Sequence, residues 1–129
     1  MATEQAAVEL WHKDLTGEII GAAFEVHRVL GYGFLEGVYK RAMRVELQRR
    51  GVSAVIEPEI RVMYKGEDVG FYKADLWVGD AVMVELKAAR EYCPDNEPQL
   101  LNELKGTGVK VGLLINFGRH KVEFKRMVF

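Results

Sequence analysis

The sequence predicts an α/β or α+β fold in which helices cover a mixed sheet. Three observations predict it. Apolar residues recur at three- and four-residue spacing over roughly the first fifty positions, the period then falls to two around Ile60, and a short helical stretch near Gln99 separates the middle strands from two closing ones. The chain has 129 residues, the length of about one ordinary domain (~100–150), so one domain over residues 1–129 is expected. With 49% hydrophobic and 29% charged residues it can bury a core and stay soluble, which disfavours disorder and fibrous repeats.

From Thr16 to Leu30, Ile19, Ile20, Ala23, Phe24, Val26 and Leu30 lie on one helical face, with Thr16 placed to cap and Gly31 to stop. A second helix is expected from near Leu35 to Gly51, through Val38, Tyr39, Ala42, Met43, Val45 and Leu47, after a turn at Gly31-Tyr32-Gly33. Ile60, Val62 and Tyr64 then alternate with Glu59, Arg61 and Met63, and Lys65 to Asp68 supplies turn residues. The return strand should run from Val69 to about Val78, and Gly79-Asp80 should turn the chain into a third strand, Ala81 to Lys87. Together these form a three-stranded meander. Pro98 suits the start of a short helix that runs on from Gln99 to Lys105 and closes at Gly106 or Gly108. Strands at Val109 to Phe117 and Val122 to Val128 end the pattern.

Composition excludes several function classes. The single cysteine, Cys93, can form neither an internal disulfide nor a multi-cysteine zinc site, and points to a reducing cytoplasm. No apolar stretch reaches the ~18–20 residues of a membrane span, and Met1 to Leu10 carries Glu4 and Glu9 where a leader would be basic and apolar. Ser53, the only serine, lacks a glycine elbow, and His12, His27 and His120 are too scattered for a zinc site. Gly31 to Glu36 half-matches a dinucleotide fingerprint, but follows a helix where that motif needs a strand.

Asp75, Glu85 and Lys87 carry the chemical signal. Glu85 and Lys87 are two apart on an otherwise apolar strand, so they share one face of a central strand, where charges need a reason. The turn at Gly79-Asp80 brings Asp75 back toward Glu85. Two neighbouring carboxylates need neutralising, either by a divalent cation or by Lys87 in a structural ion pair. Both alternatives stand at this point. The formal charge of -1 excludes a strongly basic coat, yet Arg28, Lys40, Arg41, Arg44, Arg49 and Arg50 outnumber Glu36 and Glu46, and Arg119, Lys121, Lys125 and Arg126 outnumber Glu123. These can meet phosphates or form a solvated face. The apolar end Met127-Val128-Phe129 is the one hint of a homodimer.

Asp75 followed by Glu85-Leu86-Lys87 is similar to the D-xn-(D/E)-x-K signature of the PD-(D/E)xK nuclease superfamily. The deduced order, αβββαβ with an extra N-terminal helix, resembles that superfamily's restriction-endonuclease-like core. Gly33-Phe34-Leu35-Glu36-Gly37-Val38-Tyr39 resembles the motif naming the GxxExxY protein family, Glu25 to Gly31 resembles the stretch just before that motif, and Gln99 to Asn102 and Gly112 to Gly118 resemble later segments of the same family. Ala74 precedes the aspartate, and Glu103 stands where a Gln-x-x-x-Tyr motif would carry tyrosine. The resemblance implies a metal-dependent nuclease acting on DNA or RNA, or a nucleic-acid-binding or partner-binding module on the same fold. It further implies that Asp75, Glu85, the Leu86 carbonyl and Glu36 hold Mg²⁺ or Mn²⁺. Lys87 would then act on the attacking water and the developing charge, and Gln99 would position Lys87 or the phosphate.

Overall fold

The computed structural model describes residues 12–129; the expectation for Met1 to Leu10 lies outside them. The first helix, α1, spans Lys13–Leu30 and the second, α2, Glu36–Arg49. The α1 helix begins before the expected cap. Thr16 is buried in its first turn and its hydroxyl donates to the Lys13 carbonyl at 3.0 Å. A polar side chain on the buried face of a starting helix satisfies itself on the backbone one turn back.

Strands β1 (Ala54–Ile56), β4 (Leu76–Val78), β5 (Val82–Lys87), β6 (Val111–Phe117) and β7 (Val122–Val128) form a five-stranded sheet in the order β1-β4-β5-β6-β7. Among the described strands, only β5 and β6 pair in parallel. They are linked through a short 3-10 turn at Pro94–Asn96 and the helix α3, Glu97–Thr107, with Pro98 in its first turn and Gly108 closing it in the left-handed region at φ 77. Strands β2 (Glu59–Tyr64) and β3 (Glu67–Lys73) form a separate two-stranded sheet.

The expected meander is therefore corrected. The return strand breaks at Ala74-Asp75, its first half staying with β2 and its second half, β4, joining the main sheet. The short strand β1, which has too few residues to show a period, supplies the main sheet's first position. The αβββαβ order survives with different members: α2, β1, β4, β5, α3 and β6, with α1 as the extra helix, β2 and β3 as an inserted hairpin and β7 as an added edge.

Two apolar layers flank the main sheet. Val82, Val84 and Leu86 of β5 pack with Ile19, Ala22 and Ala23 of α1 and Tyr39, Met43 and Leu47 of α2. Met83, from the opposite face, packs with Leu114, with Leu100 and Leu104 of α3 and with Ala74. All seven residues of β6 are buried, as its near-continuous apolar run requires of a strand covered on both faces. The alternation of β5 thus turns Glu85 and Lys87 toward α3. Among the described residues, no helix is long and apolar enough to cross a membrane.

Candidate active site

Glu85 and Lys87 sit in the central strand β5, with Leu114 and Asn116 of β6 as their register partners. Asp75 occupies the break between β3 and β4, which frees it from any strand register and lets it face β5. The three sequence-predicted residues do converge. The Asp75 N–H donates to Glu85 Oε1 at 3.3 Å, and the Leu86 N–H donates to Asp75 Oδ2 at 2.7 Å. Gln99 and Glu103 approach from α3 and, with Tyr72, Asn96 and Leu100, line a pocket that Glu85 and Lys87 share. Glu36 does not meet Asp75 or Glu85. It is exposed and lines a separate cleft with Phe34, Leu35, Ala88, Ala89 and Lys87, so Lys87 borders both spaces. Among the described residues, no three His, Cys, Asp or Glu side chains come together as a ready cation site.

The ion pair weighed for Lys87 is absent among the described residues. Asp75 Oδ1 is instead 3.0 Å from Lys40 Nζ, which also lies 3.0 Å from Glu57 Oε1. Burial works against the Lys40 charge, but hydrogen bonds to Asp75 and Glu57 outweigh it and raise the lysine's hold on its proton. That single cation does not neutralise the acids. Burial, then repulsion from Asp75 and Glu103, pushes the Glu85 carboxyl up to about 8 from its ordinary 4.5. Burial also raises Glu103, against the neighbouring Tyr72 hydroxyl, the Gln99 amide and the Lys87 charge. The Tyr72 hydroxyl, itself raised by burial and these acids, has one proton, and it donates to Glu85 Oε1 at 3.0 Å. Glu103 accepts from Gln99 Nε2 at 3.1 Å on one oxygen, while its Oε2 is buried with no hydrogen-bond partner.

The segments around the site brace its loops. Tyr39, fully buried, stacks on Phe117 at 4.3 Å and 6°, and its hydroxyl donates to the Gly31 carbonyl at 2.5 Å. His27 Nε2 lies 2.8 Å from the Gly118 carbonyl. Asn116, 1% exposed, binds the Ala89 backbone twice at 2.9 Å, fixing the chain just after Lys87. Sequence reasoning missed Lys40, Tyr72 and Asn116 in the site. The adjacency of Lys40 to Tyr39 and the buried-strand position of Asn116 were the available signals; Tyr72 had none, because the hairpin that carries it folds over from outside the main sheet.

The donor set fits a hard divalent cation. Asp75 and Glu85 meet across the Asp75 N–H, and repulsion from Asp75 adds to burial in raising the Glu85 carboxyl, as expected of two carboxylates that share a site. The local Arg and Lys surplus is partly consumed: Arg28 pairs with Glu25, Arg50 with Glu46 and Glu18, and Lys40 with the acids above.

The fold is similar to that in the crystal structure of SSO0001, with a TM-score of 0.55 and 14% identity over 95% of this chain. The chain spans 61% of that protein's length. No protein of curated function matches the sequence. The family model of the PD-(D/E)XK nuclease superfamily matches residues 13–127. With Asp75 at the strand break and Glu85-Leu86-Lys87 closing the central strand, the chain belongs to the PD-(D/E)XK nuclease superfamily.

Proposed function

We propose that the protein is a metal-dependent phosphodiesterase that hydrolyses nucleic acid, of the GxxExxY kind. The observation that carries this reading is the convergence of Asp75 and Glu85 beside Lys87, a lysine that shares the Glu85 pocket and makes no ion pair among the described residues. In a merely structural cluster, Lys87 would be the natural counter-ion of Asp75; here Lys40 takes that place, and the Lys87 charge acts instead on Glu103.

Asp75 and Glu85, with the Leu86 carbonyl, would hold Mg²⁺ or Mn²⁺, and Glu36 could join only from the neighbouring cleft. When bound, the ion supplies Lewis-acid stabilisation of the phosphate and a more acidic attacking water. Lys87 donates hydrogen bonds to that water or to the non-bridging phosphate oxygens and offsets their growing charge. Water adds its oxygen to phosphorus, one P–O ester bond breaks, and the leaving oxygen takes a proton. Gln99 holds Glu103 by its amide in the pocket that Lys87 borders.

A second reading, a nucleic-acid-binding module without turnover, draws on the Lys40 ammonium, which already occupies one Asp75 oxygen as a built-in cation. Cleavage of labelled single- and double-stranded DNA and RNA with Mg²⁺ or Mn²⁺, against Lys87→Ala protein, tests both. The enzyme reading expects single-turnover cleavage to fall ~10²–10⁴-fold in the variant while metal binding persists. Equal rates in the two proteins would assign the cleavage to a contaminant and favour the binding module.

A further inference from the structure

Two spaces meet at Lys87, and their sizes decide what each can hold. The pocket walled by Glu85, Gln99, Glu103 and Tyr72 has room of only about 10 Å³, enough for about one water or ion. The cleft walled by Phe34, Leu35, Glu36, Ala88 and Ala89 opens to about 360 Å³, within the range of small-molecule sites. A nucleotide that reaches Lys87 must come from the second side.

The walls of that cleft sort the parts of a nucleotide. Phe34 is 44% exposed and Leu35 80%, a large apolar surface left in water on a loop. The surface is held in place from beneath: Phe34 packs edge-on against buried Tyr39 at 6.1 Å and 89°, and its N–H lies 3.5 Å from the Tyr39 hydroxyl. Glu36 in the same cleft repels a phosphate. Past Ala88 and Ala89, in contrast, the loops after β5 and β6 carry exposed Arg90, Arg119, His120 and Lys121. These loops are tied together by the Arg119 N–H on the Arg90 carbonyl at 3.1 Å, and the loop after β6 is closed on itself by the Gly118 N–H on the Lys121 carbonyl at 3.1 Å. Arg90 and Lys121 share their cleft with two acids, Glu91 and Glu123, and Arg119 on the same loop as Lys121 adds one further cation.

We infer that the Phe34–Leu35 surface is a binding subsite for an unpaired nucleobase next to the reacting phosphate, and that the strand continues over Arg90, Arg119 and Lys121. The inference rests on the nuclease reading for the position of the reacting phosphate at Lys87. It makes the substrate single-stranded nucleic acid, or a strand end or flap, because paired bases in a duplex offer edges rather than faces to a protein wall. Base stacking on an aromatic side chain tolerates any base, so the subsite selects strandedness and not sequence.

The test is equilibrium binding in chelator, which separates affinity from cleavage, using one labelled oligonucleotide as single strand and as duplex. Phe34→Leu keeps the apolar volume against Tyr39, and Leu35→Ser alters a side chain too exposed to affect folding. Wild-type protein should prefer the single strand by about tenfold or more, and each variant should weaken single-strand binding by about 5- to 100-fold while leaving duplex binding unchanged. A 2-aminopurine base in the single strand should lose fluorescence on wild-type protein and keep it on Phe34→Leu. Equal affinities for single strand and duplex, unchanged affinity in Leu35→Ser, or no nucleic-acid binding at all would overturn the subsite. So would a dimer that Leu35→Ser converts to monomer without affecting the single strand, since the surface would then be a protein contact. Selective binding without metal-dependent cleavage would sink the nuclease reading and leave the subsite standing.

Discussion

Glu85 and Lys40 carry opposite burdens at the site. A carboxyl that titrates near 8 in the fold and near 4.5 in the unfolded chain keeps a proton in the fold that the unfolded chain gives up between those values. Its contribution to stability therefore falls as pH rises from about 4.5 to about 8, and the deficit is complete above that. Without metal, wild-type protein should be more stable at pH 5.5 than at 8.5, by on the order of 3 kcal/mol from this group. Glu85→Gln should flatten that window in urea titrations with chelator, and parallel profiles for the two proteins would mean that Glu85 is ionised in the fold. Lys40 acts the other way. It is 14% exposed and bound to two acids, so Lys40→Gln should lower metal-free stability by about 1–3 kcal/mol, less than a fully buried pair because Glu57 is half exposed. The same change removes a competitor from Asp75 and should tighten Mg²⁺ or Mn²⁺ binding in calorimetry; weaker binding would show that Lys40 supports the ion's site.

The loops that follow β5 and β6 are elements built to hold still. A Cβ on Gly118 would lie 2.8 Å from the Lys121 carbonyl oxygen and 3.2 Å from that of Arg90, both backbone atoms that cannot swing aside. Gly118→Ala should therefore cost about 1–3 kcal/mol. Because the displaced segments carry Arg90 and Lys121, nucleic-acid affinity should fall with it. Denaturation and binding measured on the same protein check both, and an unchanged melting temperature would mean that the loops yield easily. The α1 and α2 helices serve the same end, His27 reaching Gly118 and Tyr39 stacking on Phe117 at the end of β6. These residues recur in the family-like segments of the sequence, and their work is to hold the ground beside Lys87.

Across the whole molecule, the site joins pieces of every layer: β5 from the middle of the sheet, Asp75 from a strand break, Lys40 from the helical layer on one face, and Tyr72 of the β2–β3 hairpin with Glu103 of α3 from the other face. A ligand gripping this junction stabilises the entire fold by RT ln(1 + [L]/Kd), about 2.7 kcal/mol at a hundredfold excess over Kd. A divalent ion must displace the Glu85 proton to bind. The rise in melting temperature with Mg²⁺ or Mn²⁺ should accordingly be larger at pH 8.5 than at 6.5 in scanning calorimetry. A shift independent of pH would remove Glu85 from the ligands.

The chain's own pattern determined the helices, the central strand and the placing of Glu85 and Lys87 on one face, because a period of two or of 3.6 residues is written in neighbouring positions. It also marked Asp75 as the acid that returns to Glu85, since one short turn separates them. Only the tertiary structure decided that Lys40 rather than Lys87 pairs with Asp75, that Tyr72 donates to Glu85, and that Glu36 lies across Lys87 in another cleft. Each of those depends on a break in a strand or on the docking of a hairpin or loop. At Ala74-Asp75 the alternation of side chains continues on paper while the backbone leaves one sheet for another. The free energy that settles such a step comes from contacts with residues far away in the chain, and no local period records them.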